Sequence, residues 1–350
     1  MNARHHRLHV PRLLDVTREN PPSRMSQFGR AKRVSSGQVS QPIEPAAGVA
    51  DPGRVFEEHR RFLWNLAYRL TGDGADAEDV VQETFVRALA RPPADQERDW
   101  RPWLVRVALN LGRDLLRRRR RRRYQGTWLP SPIESGAPDE PVTRAADPAR
   151  RYDLLESVSF AFLLALEALT PMQRAVLLLR DVFDYSVRET AKALDISETN
   201  ARTTHMRARR VIRGYDTDRT PSRRERHDMA AAALERFLTF VSQGDVDAVE
   251  SLLAADARAL TDGGGEFHAN TRPVVGAANV ARLFVGLATR SESVVRVQRQ
   301  VLNGQPAFVI QRVVCTGYAP KFVLLADVDD GGCLTCVYSV LASRKLAGVH

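Results

Sequence analysis

Two short stretches carry residue types at spacings that can do chemistry. Cys333-Leu-Thr-Cys336 is a C-x-x-C pair, the spacing of zinc ligands and of dithiol redox centres. Arg117 to Arg123 is an unbroken arginine run, a density of positive charge that suits phosphates. The cysteines fall in a strand-like run, CLTCVYSVL, where residues three apart point to opposite faces, so the two thiols diverge. No second pair completes a four-ligand site, and Cys315 alone does not supply one. Buried structural cysteines are expected, with neither metal nor cofactor. His5, His6 and His9 lie in an aperiodic stretch and read as solvated tail.

The arginines continue a helical pattern that contains Trp100, Trp103, Asn110 and Asp114. Aromatic rings beside dense positive charge suit single-stranded or melting DNA, where bases stack and phosphates need neutralising. Core packing is the competing role for both tryptophans. After the run comes WLPSPI (128–133), a stiff apolar segment whose prolines hold it extended.

The elements that must position these groups follow from periodicity. Residues 1–50 mix Arg, His, Pro, Ser and Gln without period and read as a disordered basic tail, with Met25 an alternative start. Apolar stripes through Leu63, Leu66 and Leu70, through Val81, Phe85 and Leu89, and through Leu104, Val107, Leu111 and Leu115 predict three helices in a domain at 51–123. T-G-D-G at 71–74 breaks the first, Asp76 is expected to cap the second, and residues 91–99 form a loop. Five prolines mark 124–150 as a linker. Capping boxes at Thr170–Gln173 and Ser186–Glu189, then the break at Leu194–Ser197, describe a helix-turn-helix at 151–215. Its last helix leaves Thr199, Asn200, Arg202, Thr203 and Arg207 outward, where polar side chains reach base edges and arginines reach phosphates.

From about residue 227 to 350 the pattern becomes α+β. Helices are expected near 228–243, 246–254 and 277–287, then strands VVRVQRQVL, AFVIQRVV, KFVLLADV and CLTCVYSVL, with DDGG turning between the last two. Charge divides at the same boundary. From His227 onward there are 11 Lys plus Arg against 12 Asp plus Glu, whereas residues 1–226 hold 41 against 30. A polyanion-binding portion is therefore joined to a neutral one. Three cysteines in 350 residues imply no disulfide framework, no apolar run approaches a membrane span, and no secretory segment opens the chain. A cytoplasmic protein is expected.

The phrases DAEDVVQETFVRAL, WLVRVALNLGRDLLRRR and LTPMQRAVLLLRDVFDYSVRETAKALDISETNARTTHMRARR resemble regions 2 and 4 of extracytoplasmic-function sigma factors, the promoter-specificity subunits of bacterial RNA polymerase. The likeness spans about residues 53–215. It implies that Asp79, Gln82, Glu83 and Phe85 dock on core polymerase, with the beta and beta-prime subunits as partners. It implies too that Asn110, Asp114, Arg117 and Arg118 capture −10 DNA, and that Arg202, Thr203 and Arg207 read −35. HDMAAAALERFLTFVSQGDVDAVESLL with DGGGEFHA resembles a SnoaL-like domain, a cone of curved sheet and helices found fused to one group of these factors. W-L-P-x-P and D-G-G-G are that group's signatures, matched by Trp128, Leu129, Pro130 and Pro132 and by Asp262, Gly263, Gly264 and Gly265. Relatives carry an acidic residue at Ser131, a lysine at Glu266, and N-P-D-K-L where this chain has ASRKL (342–346).

The expectation is a multidomain sigma factor without catalytic chemistry, monomeric when free, and regulated in cis by the tether docking near Gly263–Gly265. There glycine permits close backbone approach. A one-component helix-turn-helix regulator sensing a small ligand is the alternative. SnoaL-like relatives include enzymes with pocket Asp or His residues, so Asp262 and His268 are the candidates for a third, catalytic reading.

Overall fold

In a computed structural model of the chain, the described residues are 52–92, 99–121, 124, 126–134, 157–213, 223–290, 294–314 and 316–350. The expected tail with its histidines, residues 93–98 of the expected loop, Arg122, Arg123, residues 135–150 of the expected linker, residues 151–156 of the expected helix-turn-helix unit, Tyr215 and Cys315 lie outside them.

Helix α1 (Pro52–Thr71) ends where Gly72 takes a left-handed φ of 70°, a conformation that costs glycine little. Helix α2 (Gly74–Ala90) is capped by Asp73, whose carboxylate accepts from the amides of Ala75 and Asp76. The expected cap, Asp76, lies instead within the first turn. Asp73 wins because it is the residue with extended backbone beside two orphan amides. Helix α3 (Arg101–Arg121) begins after Asp99, which accepts from the Arg101 amide, and it includes the first five arginines of the run.

Helix α4 (Phe160–Leu166) starts at the Ser159 cap. Helix α5 (Pro171–Leu177) opens with the Thr170–Gln173 capping box and continues into a π-helical turn, Leu178–Val182. Helix α6 (Val187–Leu194) has the Ser186–Glu189 box, and left-handed Asp195 stops it. Ser197 then caps helix α7 (Glu198–Val211). The two helical groups share one hydrophobic core: Leu66, Leu70, Leu104 and Leu109 are continuous with Leu163, Leu166, Val176 and Leu179. Periodicity places the stripes only roughly: Leu89 is exposed, and α3 buries Val105, Ala108, Leu109 and Leu116 beside Leu104 while Val107, Leu111 and Leu115 stay half-buried, because the packing of α1 and α2 sets which face turns in.

The last part contains α8 (Arg223–Gln243), α9 (Val246–Ser251), β1 (Leu253–Asp262), β2 (Val274–Val275), α10 (Ala277–Arg290), β3 (Val294–Leu302), β4 (Gln305–Arg312), β5 (Lys321–Val328) and β6 (Leu334–Val340). Strand order is β2-β1-β6-β5-β4-β3, with only the β1–β6 pair parallel. The four late strands are where alternation puts them. Strand β1, LAADARALTD, was not among the expected strands, and the helix expected at 246–254 overlaps its first two residues; its Ala and Asp are poor strand formers, a preference that pairing with β6 overrides.

One face of the sheet packs Phe308, Leu324 and Val337 against Phe237, Val280 and Phe284 of the helices. The opposite face presents Val309, Val323, Leu325, Tyr338 and Val340. It is covered by Leu129 from the tether, Phe160 from α4, and Leu346 and Val349 from the chain end. Cys336 stands on this second face, across β5–β6 from Asp327, and burial pushes its thiol up to about 12. Cys333 lies in the preceding turn, where its amide donates to Asp329. Both cysteines are free thiols. Among the described residues, no helix is long and apolar enough to cross a membrane.

Candidate functional site

The tether crosses the second sheet face from the end of β1 to the β3–β4 hairpin. Its first anchor is Leu129, fully buried. The Leu129 amide donates to Asp262 Oδ2 at 2.8 Å, and its carbonyl accepts from Lys345 Nζ. Lys345 Nζ is itself 2.6 Å from Asp262 Oδ2, so one buried ion pair grips both polar groups of a single residue. Tyr124 donates its phenol to Asp262 Oδ1 at 2.5 Å, and the Gly264 amide donates to the same oxygen at 3.0 Å. Burial holds the Lys345 ammonium below the usual lysine range, against the opposing pull of Asp262. Burial and then the Asp262 charge raise the Tyr124 phenol. With four partners, Asp262 is a saturated receptor for chain and cation, as a buried carboxylate must be.

The Trp128 ring lies between two cations, the Arg119 guanidinium 4.0 Å from its centroid and the Lys345 ammonium 4.4 Å from it. Its edge presses on Gly72, where a Cβ would come within 2.5 Å of Cη2. Pro130, Ser131 and Pro132 are buried beyond it. The Ser131 amide donates to Gly72 O at 2.9 Å, and Tyr68 donates to Ser131 O at 2.7 Å. Among the described residues, the Ser131 hydroxyl itself finds no partner.

The second anchor is Asn303, at the left-handed first position of the Asn303-Gly304 hairpin turn. Its backbone amide donates to Ile133 O at 2.9 Å, and its side-chain oxygen accepts from the Ile133 amide at 2.9 Å. Its Nδ2 donates to Tyr68 Oη at 2.6 Å and to Val158 O at 2.8 Å. One asparagine thus ties the sheet to α1, to the tether and to the entry of α4.

The tether grips Asp262, the residue beside the expected Gly263–Gly265 contact and part of the same motif, and not the glycines themselves. Gly263 packs under Phe267 and Ala269, and Gly264 packs against Ala342; the tether meets Asp262 and Lys345 instead. The close glycine approach occurs at Gly72. Sequence reasoning missed Lys345, Asn303, Tyr68 and Tyr124. The N-G dipeptide between two strand-like runs was an available signal for Asn303, and the ASRKL run held the lysine.

Asp79, Gln82 and Glu83 lie exposed along α2, beside Val86 (58% exposed) and Leu89 (64% exposed). Phe85 is turned the other way, buried edge-on against Phe56 with centroids 4.7 Å apart, and is not on that surface. Asn110, Asp114, Arg117 and Arg118 are exposed on α3, with Arg117 paired to Asp114 at 2.7 Å. Arg119 turns inward, and the exposed Arg120 reaches across to the second helical group. Arg119 donates to Thr71 O at 2.9 Å and to Glu167 at 2.7 Å, while Arg120 donates to Leu169 O. Arg174, almost fully buried, joins Leu70 O, Leu166 O and Glu167, so cations on both sides fasten the two helical groups.

On α7, Thr199, Asn200, Arg202 and Arg207 are exposed and Thr203 is half-buried. Asp181 fixes this helix by accepting from His205 at 2.8 Å and pairing with Arg209 at 2.7 Å. Burial alone would raise the Asp181 carboxyl, but the bonds from His205 and Arg209 hold it below the ordinary value. His268 is exposed, against Gly317 and edge-on to Tyr318 at 5.5 Å. It is not among the partners of Asp262, so the two catalytic candidates do not form a pair.

Comparison with known proteins fits this arrangement. The family "Sigma-70 region 2" matches residues 55–122 and "Sigma-70, region 4" matches 159–212. The ECF RNA polymerase sigma factor SigJ of Mycobacterium tuberculosis (strain ATCC 25618 / H37Rv) is 36% identical over 241 residues, covering 67% of this chain and 72% of that protein. The chain belongs to the extracytoplasmic-function sigma factors. SigG of Mycobacterium tuberculosis (strain CDC 1551 / Oshkosh) is 36% identical over 220 residues, 57% of this chain and 58% of that relative. The crystal structure of Mycobacterium tuberculosis SigJ matches with a TM-score of 0.60 at 30% identity, covering 85% of this chain and 98% of that one. This sigma factor therefore binds RNA polymerase and directs it to promoters, and its helical regions 2 and 4 precede a SnoaL-like sheet domain.

Proposed function

We propose that this sigma factor is regulated in cis, its C-terminal domain holding regions 2 and 4 in a closed arrangement that polymerase must open. The observation that carries this reading is the tether. WLPSPI is clamped between the end of α1 and the sheet, by Gly72 and Tyr68 on one side and Asp262, Lys345 and Asn303 on the other. The contacts of Arg119 with Glu167 and of Arg120 with Leu169 O support it further, since two cations of the arginine run are here spent between the two helical groups.

In this reading region 2 spans 51–123, the linker 124–150, region 4 151–215 and the regulatory domain 227–350. Asp79, Gln82 and Glu83 dock on the beta and beta-prime subunits in the cytoplasm. Asn110, Asp114, Arg117 and Arg118 hold −10 DNA, and Thr199, Asn200, Arg202, Thr203 and Arg207 read −35. The free protein is a monomer, because the sheet face that could pair with a second copy is covered by its own chain. The C-terminal domain acts by contact and not by turnover, since Asp262 is engaged on both oxygens.

Run-off transcription with bacterial core polymerase tests the proposal, comparing the full chain with one ending at Tyr215. Both are expected to need core and to differ in output. Equal output would remove the cis-regulatory role. A full chain that binds duplex DNA tightly without core would favour a one-component regulator.

A further inference from the structure

The short helical turn Ser343–Leu346 does more than hold Lys345. Lys345 and Leu346 both point inward, at 5% and 2% exposure. In a 3₁₀ turn each residue is rotated by about 120° from the last, so anchoring these two fixes the direction of Arg344. Arg344 is thereby aimed away from the sheet and onto α2. Its Nη2 lies 3.0 Å from Asp76 Oδ1 and 2.8 Å from Asp79 Oδ2.

Asp79 is on the exposed acidic and apolar strip of α2 that continues through Gln82, Glu83, Val86 and Leu89. An acidic strip with apolar neighbours fits a basic protein surface. In the closed arrangement the first carboxylates of that strip already have a cation, supplied by the chain's own C-terminal domain. We infer that Arg344 is an intramolecular counter-charge that occupies the polymerase-docking end of α2 and competes with a basic surface of core polymerase for Asp76 and Asp79. The inference rests on the reading of α2 as the docking face.

The magnitude is bounded by exposure. Arg344 is 56% exposed and Asp79 65%, so water and salt screen the pair. Surface pairs of this kind change equilibria by about two- to five-fold, and the change shrinks as the Debye length falls from about 10 Å at 0.1 M salt to a few ångströms at higher salt. Arg344 would thus adjust the threshold of opening, while the buried Asp262–Lys345 pair holds the tether.

The test is association of the full chain with immobilised core polymerase at about 0.1 M and 0.5 M NaCl. Wild type is compared with Arg344→Glu and with Arg282→Glu, the same charge change at an exposed site on α10 whose guanidinium meets Asn279. Arg344→Glu is expected to bind core about two- to five-fold more tightly than both others at low salt, with the gap closing at high salt. Equal affinity of Arg344→Glu and Arg282→Glu, while wild type binds core, overturns this inference and leaves the docking reading intact. Failure of every chain to bind core overturns both.

Discussion

Asn303 and Tyr68 are separated by 235 residues, yet the Asn303 amide nitrogen donates to the Tyr68 phenolic oxygen at 2.6 Å, with both residues fully buried. The phenol passes the connection on by donating to Ser131 O, so the sheet, the tether and α1 are joined through two side chains. Burial raises the Tyr68 phenol above its usual value, so it stays a proton donor well into the alkaline range.

Asn303→Gly keeps the left-handed turn and removes only the side chain. It should cost about 2–3 kcal/mol, because the partners at Ile133, Tyr68 and Val158 lose bonds inside a dry site. Hydrogen exchange at the Ile133 amide should accelerate well before global unfolding. Unchanged protection there would show that the junction does not hold the tether.

Breaking one side of the buried ion pair is expected to be severe. Asp262→Asn or Lys345→Met should each destabilise by about 3–5 kcal/mol, since each strands a charge or polar group under the tether. The double variant should cost clearly less than the sum. Urea denaturation of all four chains measures the coupling, and additive losses would mean the two residues act separately.

The Trp128 contact can be attacked from either side. Gly72→Ala adds a carbon 2.5 Å from the indole and asks a residue with a Cβ to hold a φ of 70°. Trp128→Ala empties the slot between Arg119 and Lys345 and should cost about 2–3 kcal/mol, below the range for a fully buried tryptophan. Both should enlarge the molecule in small-angle scattering. Unchanged scattering and unchanged transcription for Trp128→Ala would defeat the docking proposal.

Acid should loosen region 4 through Asp181. Its folded carboxyl is held below the ordinary range by His205 and Arg209, so its stabilising contribution is complete above the unfolded value near 4. As pH falls below that value the unfolded chain takes up the proton first, and the contribution disappears. Asp181→Asn should therefore lower the melting temperature at neutral pH and flatten its fall on acidification. An identical acid limb in both proteins would refute the assignment.

Local signals were legible in the sequence wherever the physics is local. Two capping boxes, the break before α7, the four late strands and the Asp329–Gly332 turn all depend on neighbours a few residues away. The tether and Asp262 were also marked, though the partner was misplaced onto the glycines. What stayed hidden depends on distant partners. Strand β1 is a strand because β6 lies beside it, and Arg119 turns inward because Glu167 and Trp128 are brought to it. Phe85 shows the same limit, since which side of α2 faces Phe56 is settled only once α1 packs on it.

The sheet that receives WLPSPI belongs to the same polypeptide, so the proposed restraint has a fixed stoichiometry of one to one. A separate inhibitor can be outnumbered, degraded or titrated away, which gives a threshold set by relative abundance. Here doubling synthesis doubles both halves, so output should rise in proportion to expression without a threshold. The effective concentration of tether at the sheet is set by chain length and geometry, independent of how many molecules the cell contains. Under the proposed cis regulation, diluting the restraint cannot release it, whereas polymerase competing at a contact can.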